Sequence, residues 1–118
     1  MSLRLISASR LDQEAFAEQS LLGQSLQNSA HAGLPRTIHT GNRTGLPELY
    51  NQALRNCNED ILLFCHDDLA LPPEPIEPLL RPQLEQFAIA GLCGNRRDQG
   101  HLSWHWRPKG EGWDFPYL

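Results

Sequence analysis

This sequence predicts an α/β fold: a Rossmann-like, mainly parallel sheet with helical crossovers. Two observations predict it. Strand-like and helix-like segments alternate through residue 93, the pattern of a parallel sheet whose connections are helices. The run Ile61-Leu62-Leu63-Phe64-Cys65 reads as a buried strand, and it ends directly at His66-Asp67-Asp68. Such sheets place their ligand sites outside the carboxyl ends of strands, so two adjacent carboxylates at that point draw attention before any other feature.

Each element has a local reason. Leu3 to Ala8 forms a first strand with a small, polar exit at Ser7-Ala8-Ser9-Arg10. Asp12 suits the cap of a helix over 13–27, which carries Ala15, Leu22 and Leu26 on one face. Gly23 inside it weakens the helix or marks close packing. Asn28 to Pro35 is a turn-rich link, and Arg36 to Thr40 a short strand with β-branched Thr37, Ile38 and Thr40. Gly41-Asn42-Arg43-Thr44-Gly45 is a loop, and Pro47 suits the first turn of a helix reaching Asn56, with Leu46, Leu49, Tyr50, Ala53 and Cys57 at helical spacing. After the Ile61–His66 strand comes a stiff Leu71–Pro75 connection. Ile76, Leu79, Leu80, Leu84 and Phe87 predict a helix that Pro78 and Pro82 limit or kink. Phe87 to Leu92 reads as a further buried strand. The last segment differs: Trp104, Trp106, Trp113, Phe115 and Tyr117 show no helical period.

Composition narrows the function classes. The 118 residues fit one domain, with 40% hydrophobic and 20% charged residues. A net charge of −4 argues against a general nucleic-acid partner. No apolar run approaches membrane-spanning length, and no signal-peptide stretch opens the sequence, so a cytoplasmic setting is expected. Cys57, Cys65 and Cys93 do not describe a disulfide framework. No Gly-x-Ser-x-Gly nucleophile turn occurs.

The chemistry-bearing candidates are few. Hard divalent ions such as Mg²⁺ and Mn²⁺ prefer carboxylate oxygens, commonly beside substrate phosphates. Asp68 is the favoured direct ligand and Asp67 the second, with His66 packing nearby. The alternative is an acidic turn after a core strand. The Gly41–Gly45 loop lets backbone approach an anion at a helix start, although it lacks the ending of a Walker loop and equally suits an ordinary turn. His101 and His105 have metal-compatible spacing without a completing ligand set. The tail aromatics suit stacking on a ligand, closure of a core edge, or a homodimer contact.

Together the pieces resemble an inverting family 2 glycosyltransferase of the GT-A fold, in particular its short streptomycin-biosynthesis-like subgroup. The resemblance is carried by Ile6 to Arg10, Ser20 to Leu26, Asn42 to Gly45 with Tyr50-Asn51, Ile61 to Asp68, and Ala90 to Asn95. It implies a nucleotide-diphosphate-sugar donor, a divalent cation (Mg²⁺ or Mn²⁺) and an acceptor. His66-Asp67-Asp68 is similar to the family's Asp-x-Asp motif, with Asp68 at the metal-binding position. Ser7, Ser9 and Arg10 match the segment that cradles the nucleotide; Asn42, Gly45, Asn51 and Asp67 match donor-positioning places. On this resemblance residues 1–118 are one minimal GT-A-like domain, truncated, with a nucleotide-binding half over 1–97 and an aromatic tail over 98–118 where the acceptor half is partial or missing. The usual second strand, with its Asp-Asp-Gly-Ser ending, is missing or reduced to the Asn28–Pro35 link. The general base is unassigned, with Asp98, Glu111 and Asp114 as candidates. A non-catalytic nucleotide-binding or assembly module and a metal-dependent phosphohydrolase are the alternative readings.

Overall fold

The structure, a computed structural model, describes residues 2–91, 107–109 and 112–114. Its elements are β1 (Leu3–Ala8), α1 (Gln13–Gln19), α2 (Leu21–Ser25), β2 (Arg36–His39), α3 (Leu46–Asn56), β3 (Ile61–His66), α4 (Glu77–Gln86), β4 (Arg107–Lys109) and β5 (Gly112–Asp114). A single 3-10 turn, Ser29–His31, precedes β2. The chain divides into two compact units, Met1–Pro82 and Gln83–Leu118. The first holds a three-stranded sheet in the order β2-β1-β3, and the second a two-stranded antiparallel pair.

Both pairings in the larger sheet are parallel, with Leu5 opposite Arg36 and Leu63, and Ala8 opposite His39 and His66. Side chains alternate across a strand, which sorts the residues onto two faces. On one face Leu5 and Cys65 join Phe16, Leu22, Leu26, Leu71 and Ile76 in the core, with Ile38, Leu63 and Leu80 packed against them. Leu5 and Leu22 are wholly removed from solvent, which favours folding by about 1.5–3 kcal/mol each. On the other face Phe64 meets Tyr50 of α3, their ring centroids 4.3 Å apart. Burial, with a smaller contribution from Cys65, holds the Tyr50 phenol above its ordinary pKa. The α/β class expected from the sequence is the one observed.

The helix expected over 13–27 is two helices. Ser20 lies between them in an extended conformation. Its hydroxyl donates to the Phe16 carbonyl at 2.6 Å and accepts from the Gly23 N–H at 2.8 Å, so it ends one helix and caps the next. Gly23 is there for close approach: a Cβ at that position would stand 1.9 Å from the Phe16 carbonyl oxygen. The Asn28–Pro35 link contains the 3-10 turn and no strand, and β2 pairs directly with β1. Within that turn His31 is almost fully buried, its Nε2 2.7 Å from the Pro72 carbonyl, so it pins the link to the segment after β3.

The entrances of β1 and β3 are joined by polar contacts. Arg4 Nε donates to Glu59 at 2.7 Å, and the Ser2 N–H donates to Asp60 at 3.0 Å. The Arg4 hydrogen bond lowers the Glu59 pKa, and the bonds from Ser2 lower that of Asp60. A carboxylate with a depressed folded-state pKa contributes stability above its unfolded value and loses it as pH falls through the folded value. The thermal midpoint is therefore expected to drop as pH is taken below about 4, the ordinary carboxylate range. Glu59→Gln should flatten that dependence; an acid profile as steep in the variant as in the wild type would show that the Arg4 contact carries none of it.

Other expectations change. Phe87–Gly91 forms no strand, and Phe87 and Ile89 are 56% and 89% exposed. An apolar run becomes a strand only where an adjacent ladder accepts it, and among the described residues β3 pairs only with β1. Pro82 sits inside α4 without ending it; the carbonyl its missing N–H leaves unpaired is that of Pro78, in the first turn, so the loss falls near the helix end. The tail contains a strand pair, Arg107 opposite Asp114 and Lys109 opposite Gly112. Cys93, His101, Trp104, His105, Trp106, Phe115 and Tyr117 lie outside the described residues. No helix of the described residues is long and apolar enough to cross a membrane.

Candidate functional site

Three loops meet at the carboxyl ends of the strands. The exit of β1 is held to that of β2 by the Ser9 N–H, which donates to His39 O at 2.9 Å, and by the Asn42 N–H, which donates to Ser9 O at 2.8 Å. Gly41 takes a φ of +57°, a left-handed conformation that costs glycine little, and its N–H reaches Leu11 O at 2.7 Å. The exit of β3 is joined to β1 through side chains: Ser9 Oγ donates to Asp67 Oδ2 at 2.6 Å. The Asp67 carbonyl accepts from the Leu22 N–H at 3.1 Å, and Ser25 Oγ accepts from the Leu71 N–H at 3.1 Å, so α2 braces the same turn. The connection leaving β1 runs to the face holding Phe16 and Leu22, and that leaving β2 to the face holding Tyr50. The chain steps from β1 to β2 on one side and then to β3 on the other, so strand order reverses at the rim between β1 and β3, the place open α/β sheets of this order use for ligands.

The residues singled out from the sequence divide into groups. Ser9, Asp67 and Asn42 are brought together by the bonds above. Asp68 is next in the turn and exposed, as are Arg10 and Arg43, each beside one of the linked residues. Asn42 spends its side chain on its own loop, donating to Thr44 O at 2.8 Å and accepting from Thr44 N at 3.1 Å. Gly45 caps α3 without a side-chain bond, so the helix start keeps free N–H groups. Asn51 is exposed on the second turn of α3. Ser7 stands apart: it is fully buried, opposite Cys65 and Ile38 in the ladder, and its hydroxyl has no hydrogen-bond partner. A solvent-borne ligand does not reach it in this conformation. Burial also pushes the Cys65 thiol up to about 11, which keeps it protonated and unsuited to nucleophilic chemistry.

Arg43 is absent from the sequence-derived set, although a basic residue between two loop glycines at a helix start is a legible sign of anion binding. A groove of about 370 Å³ runs between β2 and the α1–α2 pair, lined by Phe16, Leu26, Arg36, Ile38 and Thr40 among others, and takes in none of the site residues singled out above. A second hollow of about 250 Å³ lies at the opposite, amino end of the strands, beside Leu3, His31 and Glu77. It is remote from the carboxylates.

The donor set fits a hard divalent ion. Among the described residues no group of three or more His, Cys, Asp or Glu side chains is placed to hold a metal. Mg²⁺ needs no such cage, since it takes one or two carboxylates and completes its shell with phosphate oxygens and water. Asp68 is exposed, and Asp67 is partly buried and hydrogen-bonded; two carboxylates are the donor type such an ion takes.

A protein-family model described as glycosyl transferase family 2 matches residues 24–117. No curated protein and no solved structure matches the chain.

Proposed function

The chain belongs to glycosyl transferase family 2, and from that membership we propose that its carboxyl-end rim binds a nucleotide-diphosphate-sugar through Mg²⁺ or Mn²⁺ for transfer of the sugar to an acceptor. The observation that carries the reading is the Ser9–Asp67 hydrogen bond of 2.6 Å. It draws the acidic turn to the β1 exit, to which the Asn42 N–H bond to Ser9 O joins the Asn42 loop.

Asp68 is the direct metal ligand in this proposal, with Asp67 second. The bound ion supplies positive charge to the diphosphate as the sugar–phosphate bond breaks. Arg10 and Arg43 are exposed guanidinium groups at the same rim, a type suited to bidentate phosphate contacts. The start of α3 adds free N–H groups for an anion. Asn42, Gly45 and Asn51 belong to the nucleotide side of the site; Ser7, in the core, and Ser9, bonded to Asp67, stand behind it. No residue is assigned to take the acceptor proton; the candidates from the sequence are Asp98, Glu111 and Asp114. Asp114 ends β5, and the other two lie outside the described residues.

Calorimetric titration with uridine diphosphate, with and without Mn²⁺, tests the reading. Manganese is expected to raise the affinity by at least about tenfold, the order of one good charge-assisted contact. Equal heats in the two buffers would remove the metal-bridged donor site. Sugar release onto acceptors, assayed on the same sample, then separates a working transferase from a binding module.

A further inference from the structure

The β1 exit has a residue whose role differs from the nucleotide contact its sequence position suggests. Ser9 is 3% exposed. Its hydroxyl donates to Asp67 Oδ2 at 2.6 Å, and Ser9 Oγ accepts from the Leu11 N–H at 3.2 Å. Its own N–H and carbonyl are taken by His39 and Asn42. Little of Ser9 is left to meet a ligand, because it is shielded and its only side-chain proton is committed. The contact at Asp67 has the length of a charge-assisted O–H···O⁻ bond.

We propose that Ser9 is a positioning residue: its hydroxyl orients the Asp67 carboxylate, and so sets the acidic turn for the metal–diphosphate ligand without touching that ligand itself. The inference rests on the reading of the rim as a metal-assisted nucleotide site. Asp67 has two oxygens, and Ser9 occupies Oδ2. Its other oxygen is therefore aimed by a bond to a neighbouring strand's exit. The carbonyl of Asp67 is fixed as well, by the Leu22 N–H at 3.1 Å. With backbone and carboxylate both held, Asp68 follows from a turn that has little freedom to swing. Partners that orient a metal's ligands characteristically matter by 10- to 100-fold in metal affinity. Ser9 is expected to act at about the lower end, because Asp67 is the second ligand and Asp68 the first.

The test compares the full chain as wild type, Ser9→Ala and Ser9→Thr, titrated with uridine diphosphate in the presence and absence of Mn²⁺, with unfolding followed in urea. Ser9→Ala should lose about tenfold of the manganese-dependent gain in affinity while its manganese-free affinity stays at the wild-type value, and Ser9→Thr, which keeps the hydroxyl, should restore the gain. A hydroxyl needed only for folding would lower both affinities together. Should Ser9→Ala fail to fold, Ser9→Cys, of similar size and a weak donor, takes its place. A wild-type gain retained in the hydroxyl-deficient variant would overturn the positioning role and leave the donor site standing. A wild type indifferent to Mn²⁺ would overturn both.

Discussion

Gly23→Ala is expected to cost about 4 kcal/mol of stability, with overpacking contributing up to about 3 and the lost cap about 1. The reason is local and steric. The new methyl would stand 1.9 Å from the Phe16 carbonyl oxygen, 2.7 Å from the Phe16 carbonyl carbon and 2.7 Å from Ser20 Oγ. Two of those atoms are backbone and cannot rotate away. Relief requires moving α2 off α1, which breaks the Ser20 hydroxyl's bonds to Phe16 and Gly23. It also shifts Leu22 and Leu26, both in the core against the sheet. Small domains have about 5–15 kcal/mol in all, so urea unfolding should show a midpoint reduced by a large fraction. Gly45→Ala is the control: there a Cβ would meet only Pro47 Cδ, at 3.8 Å, with φ at −62°. Its stability should stay within about 1 kcal/mol of wild type. Equal midpoints for both variants would mean that α2 is not seated as described.

The same helix pair shows what the sequence could and could not reveal. Amphipathic spacing located Leu22 and Leu26 on a helical stretch because burial repeats with the turn of a helix, but it chose Ala15 where Phe16 is the buried residue of α1. It could not locate the break, since Ser20 is a cap only when the Phe16 carbonyl and the Gly23 N–H both reach its hydroxyl. Strands β1 and β3 were legible for a similar reason: Leu3, Leu5, Ile61 and Cys65 are buried in the sheet. Phe87–Leu92 has an equally apolar composition, yet its described part is open coil. Strand formation depends on a neighbouring edge, which no local run encodes. The β4–β5 pair was missed because each strand is three residues long and one contains Pro108, a residue tolerated at sheet edges and read as a breaker in isolation. At the rim, the acidic pair could be found by its position after a buried run. Ser9 was named through the resemblance, but its bond to the acidic turn could not be read, because Ser9 and Asp67 are 58 residues apart in the chain.

That link makes the two aspartates separable, and Asp68→Ala gives the largest expected functional effect. Asp68 is exposed and is the proposed direct ligand. Removing it takes the main protein oxygen from the metal, and manganese-dependent nucleotide affinity should fall by about 100-fold, the equivalent of about 2.7 kcal/mol. Stability should hardly move, since exposed side chains away from packed features contribute within about 0.5 kcal/mol. Asp67→Ala should behave differently. It leaves the Ser9 hydroxyl, 3% exposed, without its acceptor, and an unsatisfied buried hydroxyl costs about 1–3 kcal/mol. Its urea midpoint should fall along with its affinity. Calorimetry paired with unfolding on the two variants therefore reads two different roles from adjacent carboxylates. If Asp68→Ala bound uridine diphosphate with Mn²⁺ as the wild type does, the metal would have to be held elsewhere. If instead Asp67→Ala kept full stability, the 2.6 Å bond would contribute nothing to the fold, and the rim would have to be assembled by backbone contacts alone.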